Sequence, residues 1–244
     1  MITVASLWRH PIKSHGREAL DSVRLTEGQT MPFDRKWAVT HEATKFDEAD
    51  PAWVTCRNFM IGSMNPSLAG LWARFDEAKG IMHLRHQDIG DIEFDPTERL
   101  EAARFLEWVA PLTAHVAMQP TALVSAGARG MTDSPFPSIS VMNRASHDAV
   151  ADQLGQPLER ERWRGNIWLD GLDAWAEWDW LDRTIQIGTV TLQVSERCVR
   201  CNHTKANTVT GQRDADTLGA LRDGWDHQDF GIYCQVTQSG DIAT

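Results

Sequence analysis

The chain has 244 residues, 42% of them hydrophobic and 24% charged, with a formal net charge of −10. That length can bury one large core or two smaller ones, and the composition is ordinary for a folded globular protein. The acidic balance excludes non-specific nucleic-acid binding, which needs basic surface to displace counterions, and it disfavours anionic membranes.

No run approaches the ~18 uninterrupted apolar residues of a membrane span. Met1-Ile2-Thr3-Val4 opens without a basic stretch followed by an apolar one, so no signal peptide is expected. The expectation is a soluble cytoplasmic protein that partners neither membrane nor nucleic acid.

Along the first ninety residues the pattern is β-rich. Ile2 to Trp8 alternates in polarity and stops at Pro11; Val23 with Leu25, Trp37 to Val39, and Ile81 to Leu84 suggest further strands. Gly28, Gly62-Ser63, Asn65-Pro66 and Gly80 punctuate them, which predicts a small sheet or barrel. Glu98 to Val109 reads as a helix, with Leu100, Ala103, Phe105, Leu106 and Val109 apolar, Thr97 placed to cap it and Pro111 just beyond. Thr113 to Pro137 is rich in Ala, Gly, Ser, Thr and Pro. It reads as the crossing between two domains, 1–125 and 126–244.

In the second half, Ser146 to Leu154 predicts a short helix closed by Gly155. Ile185, Ile187, Val190, Leu192 and Val194 alternate about Gly188-Thr189, the signature of a tight hairpin. Asp216 to Arg222 predicts a helix closed by Gly224, and Ile232, Cys234 and Val236 a final strand. The fold class expected is α+β, mostly β. Eleven tryptophans against one tyrosine are read as core or cleft-wall residues.

Four cysteines in a chain this long do not make a disulfide scaffold. Cys198-Val199-Arg200-Cys201 is the sharpest local feature and supports several uses. A thioredoxin-like pair should open a helix, and no helix start is apparent after Cys201. A structural zinc site needs two more ligands, for which only His203 and Cys234 are at hand. A single thiolate beside the cationic Arg200 could ligate a soft metal. Two cysteines packed at a strand end is the unreactive alternative.

Basic and hydroxyl residues also gather beside turns: Lys13-Ser14 after the first strand, Asp34-Arg35, Thr55-Cys56-Arg57 and Arg164-Gly165-Asn166. Singly, each is an ordinary surface group; together they are what an anionic phosphate would want. No GxGxxG or GxxxxGK[ST] is present, so no dinucleotide or P-loop nucleotide is indicated. His10, His15 and His203 are candidates for proton transfer without a feature that lifts them above surface histidines.

In order, these pieces resemble the MOSC family with its N-terminal β-barrel partner domain, the architecture of the mitochondrial amidoxime reducing component and related bacterial molybdenum proteins. The first half carries the resemblance through His10-Pro11-Ile12-Lys13-Ser14, Asp34-Arg35-Lys36-Trp37 and Thr55-Cys56-Arg57. The second half carries it through Asn143-Arg144-Ala145-Ser146, Arg164-Gly165-Asn166-Ile167, Cys198-Val199-Arg200-Cys201, Thr210-Gly211 and Phe230-Gly231-Ile232-Tyr233.

The resemblance implies two β-barrel domains with a cofactor cleft between them and a molybdenum cofactor, a phosphorylated pyranopterin dithiolene. It implies the metal on Cys201, which would also be the catalytic residue, and the cofactor held by Lys13, Ser14, Arg35, Arg57, Arg164, Asn166, Val199 and Arg200. The reaction implied is reduction of N-hydroxylated compounds with electrons from a separate ferredoxin-like or flavin-containing donor protein. A molybdenum cofactor or sulfur carrier without substrate turnover is the other function considered.

Overall fold

The computed structural model describes residues 1–244. The first strands are β1 (Thr3–Arg9), β2 (Glu18–Leu20), β3 (Ser22–Leu25) and β4 (Trp37–His41). The antiparallel meander β5 (Trp72–Asp76), β6 (Ile81–His86) and β7 (Gly90–Phe94) follows, then helix α1 (Arg99–Thr113) and β8 (Pro120–Ser125). The second half runs β9 (Ile139–Asn143), α2 (Arg144–Leu154), β10 (Ile167–Asp170), β11 (Thr184–Ile187), β12 (Val190–Val199), α3 (Thr217–Trp225), β13 (Asp229–Gln238) and β14 (Gly240–Ala243). The molecule is α+β and mostly β, with three α-helices.

The largest sheet has seven strands in the order β11-β12-β13-β9-β10-β1-β2. Its first-half strand β1 lies antiparallel to β10 (Leu7 opposite Ile167), and β3 pairs with β14 (Val23 opposite Ile242). Alternation drives this placement: Leu7 and Leu25 point inward with Ile139, Val141, Ile167, Leu192, Val194 and Ile232 in one buried cluster. Strand pairing thus crosses residue 125. A second core joins α1 to the β5–β7 meander and the β4–β8 pair through Trp37, Phe75, Leu84, Phe94, Phe105 and Val109. No tryptophan is fully exposed: Trp37, Trp163 and Trp168 are buried and the other eight half-buried.

Several local expectations are corrected. The segment read as an irregular crossing contains β8, which pairs with β4 (Val39 opposite Leu123); its small and polar residues hid a half-buried strand. Helix α1 runs through Pro111 to Thr113, because burial of Val109, Leu112 and Thr113 outweighs the lost backbone bond. Thr97 does not cap it: its hydroxyl donates to Asp95 Oδ1 (2.6 Å), and Glu101 reaches back to accept from the Asp95 N–H (2.6 Å). Gly224 lies inside α3, and Asp226, at φ 59°, closes that helix. A 3₁₀ turn, Asn202–Lys205, starts directly after Cys201 where no helix start was expected.

Two buried histidines set an acid limit on this fold. Trp163 Nε1 donates to His147 Nδ1 (3.0 Å), and His147 Nε2 donates to the Leu158 carbonyl (3.0 Å), so the ring must be neutral to keep both bonds. His15 Nδ1 donates to the Lys13 carbonyl (2.7 Å), with Nε2 buried and unpartnered. Burial pulls both rings down to about 4. Between that value and the unfolded value near 6.5 the unfolded chain binds more protons. Stability is therefore complete above pH ~6.5 and falls on acidification toward pH ~4, by up to about 1.4 kcal/mol per pH unit for each ring. Urea melts at pH 7.0, 6.0 and 5.0 should show the midpoint dropping steadily; a flat midpoint across that window would refute the assignment.

Candidate functional site

A cavity of about 220 Å³ opens where loops of the two halves meet. The loop after β1 contributes Lys13 and Ser14, the turn before β4 contributes Arg35, and the 56–63 segment contributes Cys56, Gly62 and Ser63. From the second half come Asp133, Trp163, Arg164, Asn166, His203 and Tyr233, with Val199, Arg200 and Cys201 at the end of β12.

Backbone geometry is unusual at three of these positions. Ser14 (φ 63°), Arg35 (φ 49°) and Arg164 (φ 49°) are all left-handed, a conformation that costs a non-glycine residue about 1–2 kcal/mol. Backbone bonds hold the Arg35 turn: its N–H donates to the His10 carbonyl (2.7 Å), and its carbonyl accepts from Met131 (2.9 Å).

The charges form a graded set. Lys13, buried, donates to the Met131 carbonyl and to Asp133 Oδ1, each at 2.7 Å. Asp34, fully buried, accepts from the His10 N–H (2.8 Å) and pairs with the Arg35 guanidinium. Burial alone would raise its carboxyl pKa, but Arg35 and His10 outweigh that and hold it far below the carboxylate range. Arg35 then donates to the Arg164 carbonyl (2.9 Å), tying the halves together.

Arg164 and Arg200 have no carboxylate partner. Arg164 donates to the Gly16 carbonyl (3.0 Å), and its Nη2 is buried with no partner at all. Burial, followed by the nearby Arg35 charge, pulls its pKa down to about 9. Arg200 donates to the carbonyls of Phe230 and Trp163 (2.9 Å each) and sits 5.9 Å from both ring centroids. These rings stack at 3.9 Å.

The cysteine pair is split. Cys198 is fully buried in the cluster of Met142, Val150, Trp168 and Phe230, and burial pushes its thiol up to about 12. Cys201 is the exposed cysteine, at the cavity's edge. The surrounding protein raises its thiol pKa, against the lowering pull of the His203 N–H and Arg200. No group of three or more His, Cys, Asp and Glu side chains could hold a metal ion, so the zinc reading fails for lack of ligands. A fully buried thiol and an exposed one do not make a thioredoxin-like pair either.

Eight of the nine residues singled out in the sequence line this cavity: Lys13, Ser14, Arg35, Arg164, Asn166, Val199, Arg200 and Cys201. Arg57 does not. In the 3₁₀ turn Cys56–Asn58 successive side chains point about 120° apart, and it is Cys56 that enters the cavity. Asn166 is a strut: its Oδ1 accepts from the Ser140 hydroxyl (2.8 Å) and N–H (3.1 Å), and its Nδ2 donates to the Trp8 carbonyl (3.2 Å).

Sequence reasoning missed Cys56, Asp133 and Tyr233. Asp133-Ser134-Pro135 is a turn signal, yet nothing local says that the turn faces Lys13. His203 proves buried, with Nδ1 unpartnered and too close to Gly62 for a Cβ there (1.8 Å). Burial, then Arg164, lowers its pKa to about 3.

Two family profiles match the chain: the MOSC N-terminal beta barrel domain over residues 1–119 and the MOSC domain over residues 130–244. The chain belongs to the MOSC family. Among solved structures this MOSC protein is similar to YiiM from Geobacillus stearothermophilus, at 21% identity and a TM-score of 0.33 over 43% of this chain and 49% of that one. The match thus spans about half of the YiiM chain. It is also similar to the YuaD protein from Bacillus subtilis, at 12% identity and a TM-score of 0.41 over 100% of this chain and 92% of that one. No curated protein matches it. None of the helices is long and apolar enough to cross a membrane.

Two outcomes check this geometry. Asp34→Asn leaves the Arg35 guanidinium without its carboxylate and should cost about 3 kcal/mol in urea unfolding; unchanged stability would contradict the network. Under native conditions iodoacetamide should label Cys201 well before Cys198 or Cys234, as read by peptide mass spectrometry. Equal labelling of Cys198 and Cys201 would contradict the split pair.

Proposed function

We propose that this MOSC protein is a molybdenum cofactor-dependent oxidoreductase that reduces N-hydroxylated compounds with electrons from a separate donor protein. The observation that carries the reading is the exposed Cys201 thiol at the edge of a cavity in which two guanidinium groups, Arg164 and Arg200, are hydrogen-bonded to backbone carbonyls and to no carboxylate. A cavity so charged takes an anion, and the buried unpartnered Nη2 of Arg164 is a donor waiting for an acceptor oxygen. The chain offers one exposed thiol, Cys201, with the half-buried Cys56 lining the same cavity, and no group of three ligands, so a metal at Cys201 must arrive with other ligands of its own, as a dithiolene cofactor does. The residues therefore fit a phosphorylated pterin dithiolene.

In this reading Arg164, Arg200, Lys13 and Arg35 hold the phosphorylated tail, while the His203 N–H and Arg200 oppose part of the burial that disfavours the Cys201 thiolate. When bound, the cofactor supplies two-electron redox chemistry and accepts the oxygen. The overall change is N–OH plus two electrons and two protons to N–H and water. Asn166 keeps the loop beside Arg164 in place through Ser140 and Trp8, and Trp163 with Val199 gives the cavity an apolar wall.

Protein purified from molybdenum-replete cells should carry about one molybdenum per chain by metal analysis, and chemically reduced samples should turn over benzamidoxime. Cys201→Ser should remove metal and activity together, while Cys198→Ser should keep both. Arg164→Ala should weaken cofactor retention about 10- to 100-fold. Molybdenum without turnover would support the carrier function instead; stoichiometric zinc, or full metal content in Cys201→Ser, would overturn the reading.

A further inference from the structure

The far side of the 61–63 segment holds a second cavity, of about 420 Å³. Ile61 and Ser63 line both cavities, so this short stretch is the wall between them. The second space is large enough for a small organic molecule. Its floor is soft and apolar: Phe59, Met60, Met64 and Met118 contribute. Thioethers pack well on the edges of aromatic rings, and unbranched methionine adapts to their shape.

Two polar groups in this lining are unused. Asn65 is 2% exposed, and its Oδ1 has no hydrogen-bond partner. Its amide orientation is set by Nδ2, which donates to the Ile61 carbonyl (3.4 Å), leaving the oxygen free to accept. A buried acceptor left unmade costs about 1–3 kcal/mol, which a ligand N–H would recover.

Arg57, the cation the first cavity does not use, lines this one. Its carbonyl accepts from His41 Nε2 (2.9 Å), which pins the turn, whereas its guanidinium has no carboxylate within the chain. His41 Nδ1 accepts from the Ala43 N–H (3.2 Å), so neither ring nitrogen is free to compete for a ligand.

We propose that this second cavity is a binding site for a small aromatic carboxylate bearing an N–H donor. The ring lies among the methionines, the carboxylate meets Arg57 and the N–H donates to Asn65 Oδ1. Such a ligand rests against Ile61 and Ser63, on the opposite face of the wall that bounds the Cys201 cavity. The site needs no cofactor, so it stands or falls apart from the molybdenum reading.

The probe is 2-aminobenzoate, titrated calorimetrically into the full-length protein, with benzoate and aniline as the analogues lacking the N–H and the carboxylate. Wild-type protein should bind 2-aminobenzoate at one site, and each analogue about tenfold more weakly, the size of one hydrogen bond or charge contact. Arg57→Gln, at an exposed position that folding does not depend on, should weaken 2-aminobenzoate about tenfold yet leave aniline unchanged. Asn65→Ala should erase the preference for 2-aminobenzoate over benzoate. If wild-type protein binds none of the three at ~10 mM, or if Arg57→Gln binds 2-aminobenzoate like wild type, the proposal is wrong.

Discussion

Like charges have to be held close together around the Cys201 cavity, and the rest of the site follows from how that repulsion is met. Burial lowers the pKa of Arg164 most, and the nearby Arg35 charge lowers it further. The fully buried Asp34 offsets Arg35, and backbone carbonyls, not carboxylates, restrain Arg164 and Arg200. A carbonyl fixes a guanidinium's direction without cancelling its charge. The cavity is thereby built rigid and left positive, which is the state that suits an anionic ligand.

Holding that arrangement draws on backbone from both halves. Ser14, Arg35 and Arg164 occupy left-handed conformations that no local sequence preference favours. They persist because the seven-stranded sheet, which takes β1 and β2 beside β10, delivers the loop after β1 to the turn before β10. The bond from Arg35 to the Arg164 carbonyl then closes the junction. Fold and site are coupled here: a strand slip of one residue between β1 and β10 would turn Leu7 out of the core.

The same economy of position separates the cysteines. Irregular register near the end of β12 turns Cys198 into the core beside Met142 and Phe230, and Cys201, beyond the strand end and ahead of a 3₁₀ turn, stays open. Burial makes the first inert, and access makes the second available. Three residues of spacing thus carry two unlike roles.

Much of this was legible in the sequence alone. Alternation located β1, β12 and the β11–β12 hairpin; cations and polar residues beside turns, together with the MOSC resemblance, marked eight residues that line one cavity. What the chain order could not decide were directions and partners. Whether Cys56 or Arg57 enters the cavity depends on the phase of a single 3₁₀ turn, which the pinning of the Arg57 carbonyl by His41 sets. That Asn166 is a strut, that Asp133 faces Lys13 and that His203 is buried against Gly62 all depend on contacts between residues tens of positions or more apart. Residue type and periodicity are local properties and can be read in order. A side chain's partner is fixed only when distant strands pair, so the identities of the cavity's residues came from the sequence and their roles from the fold.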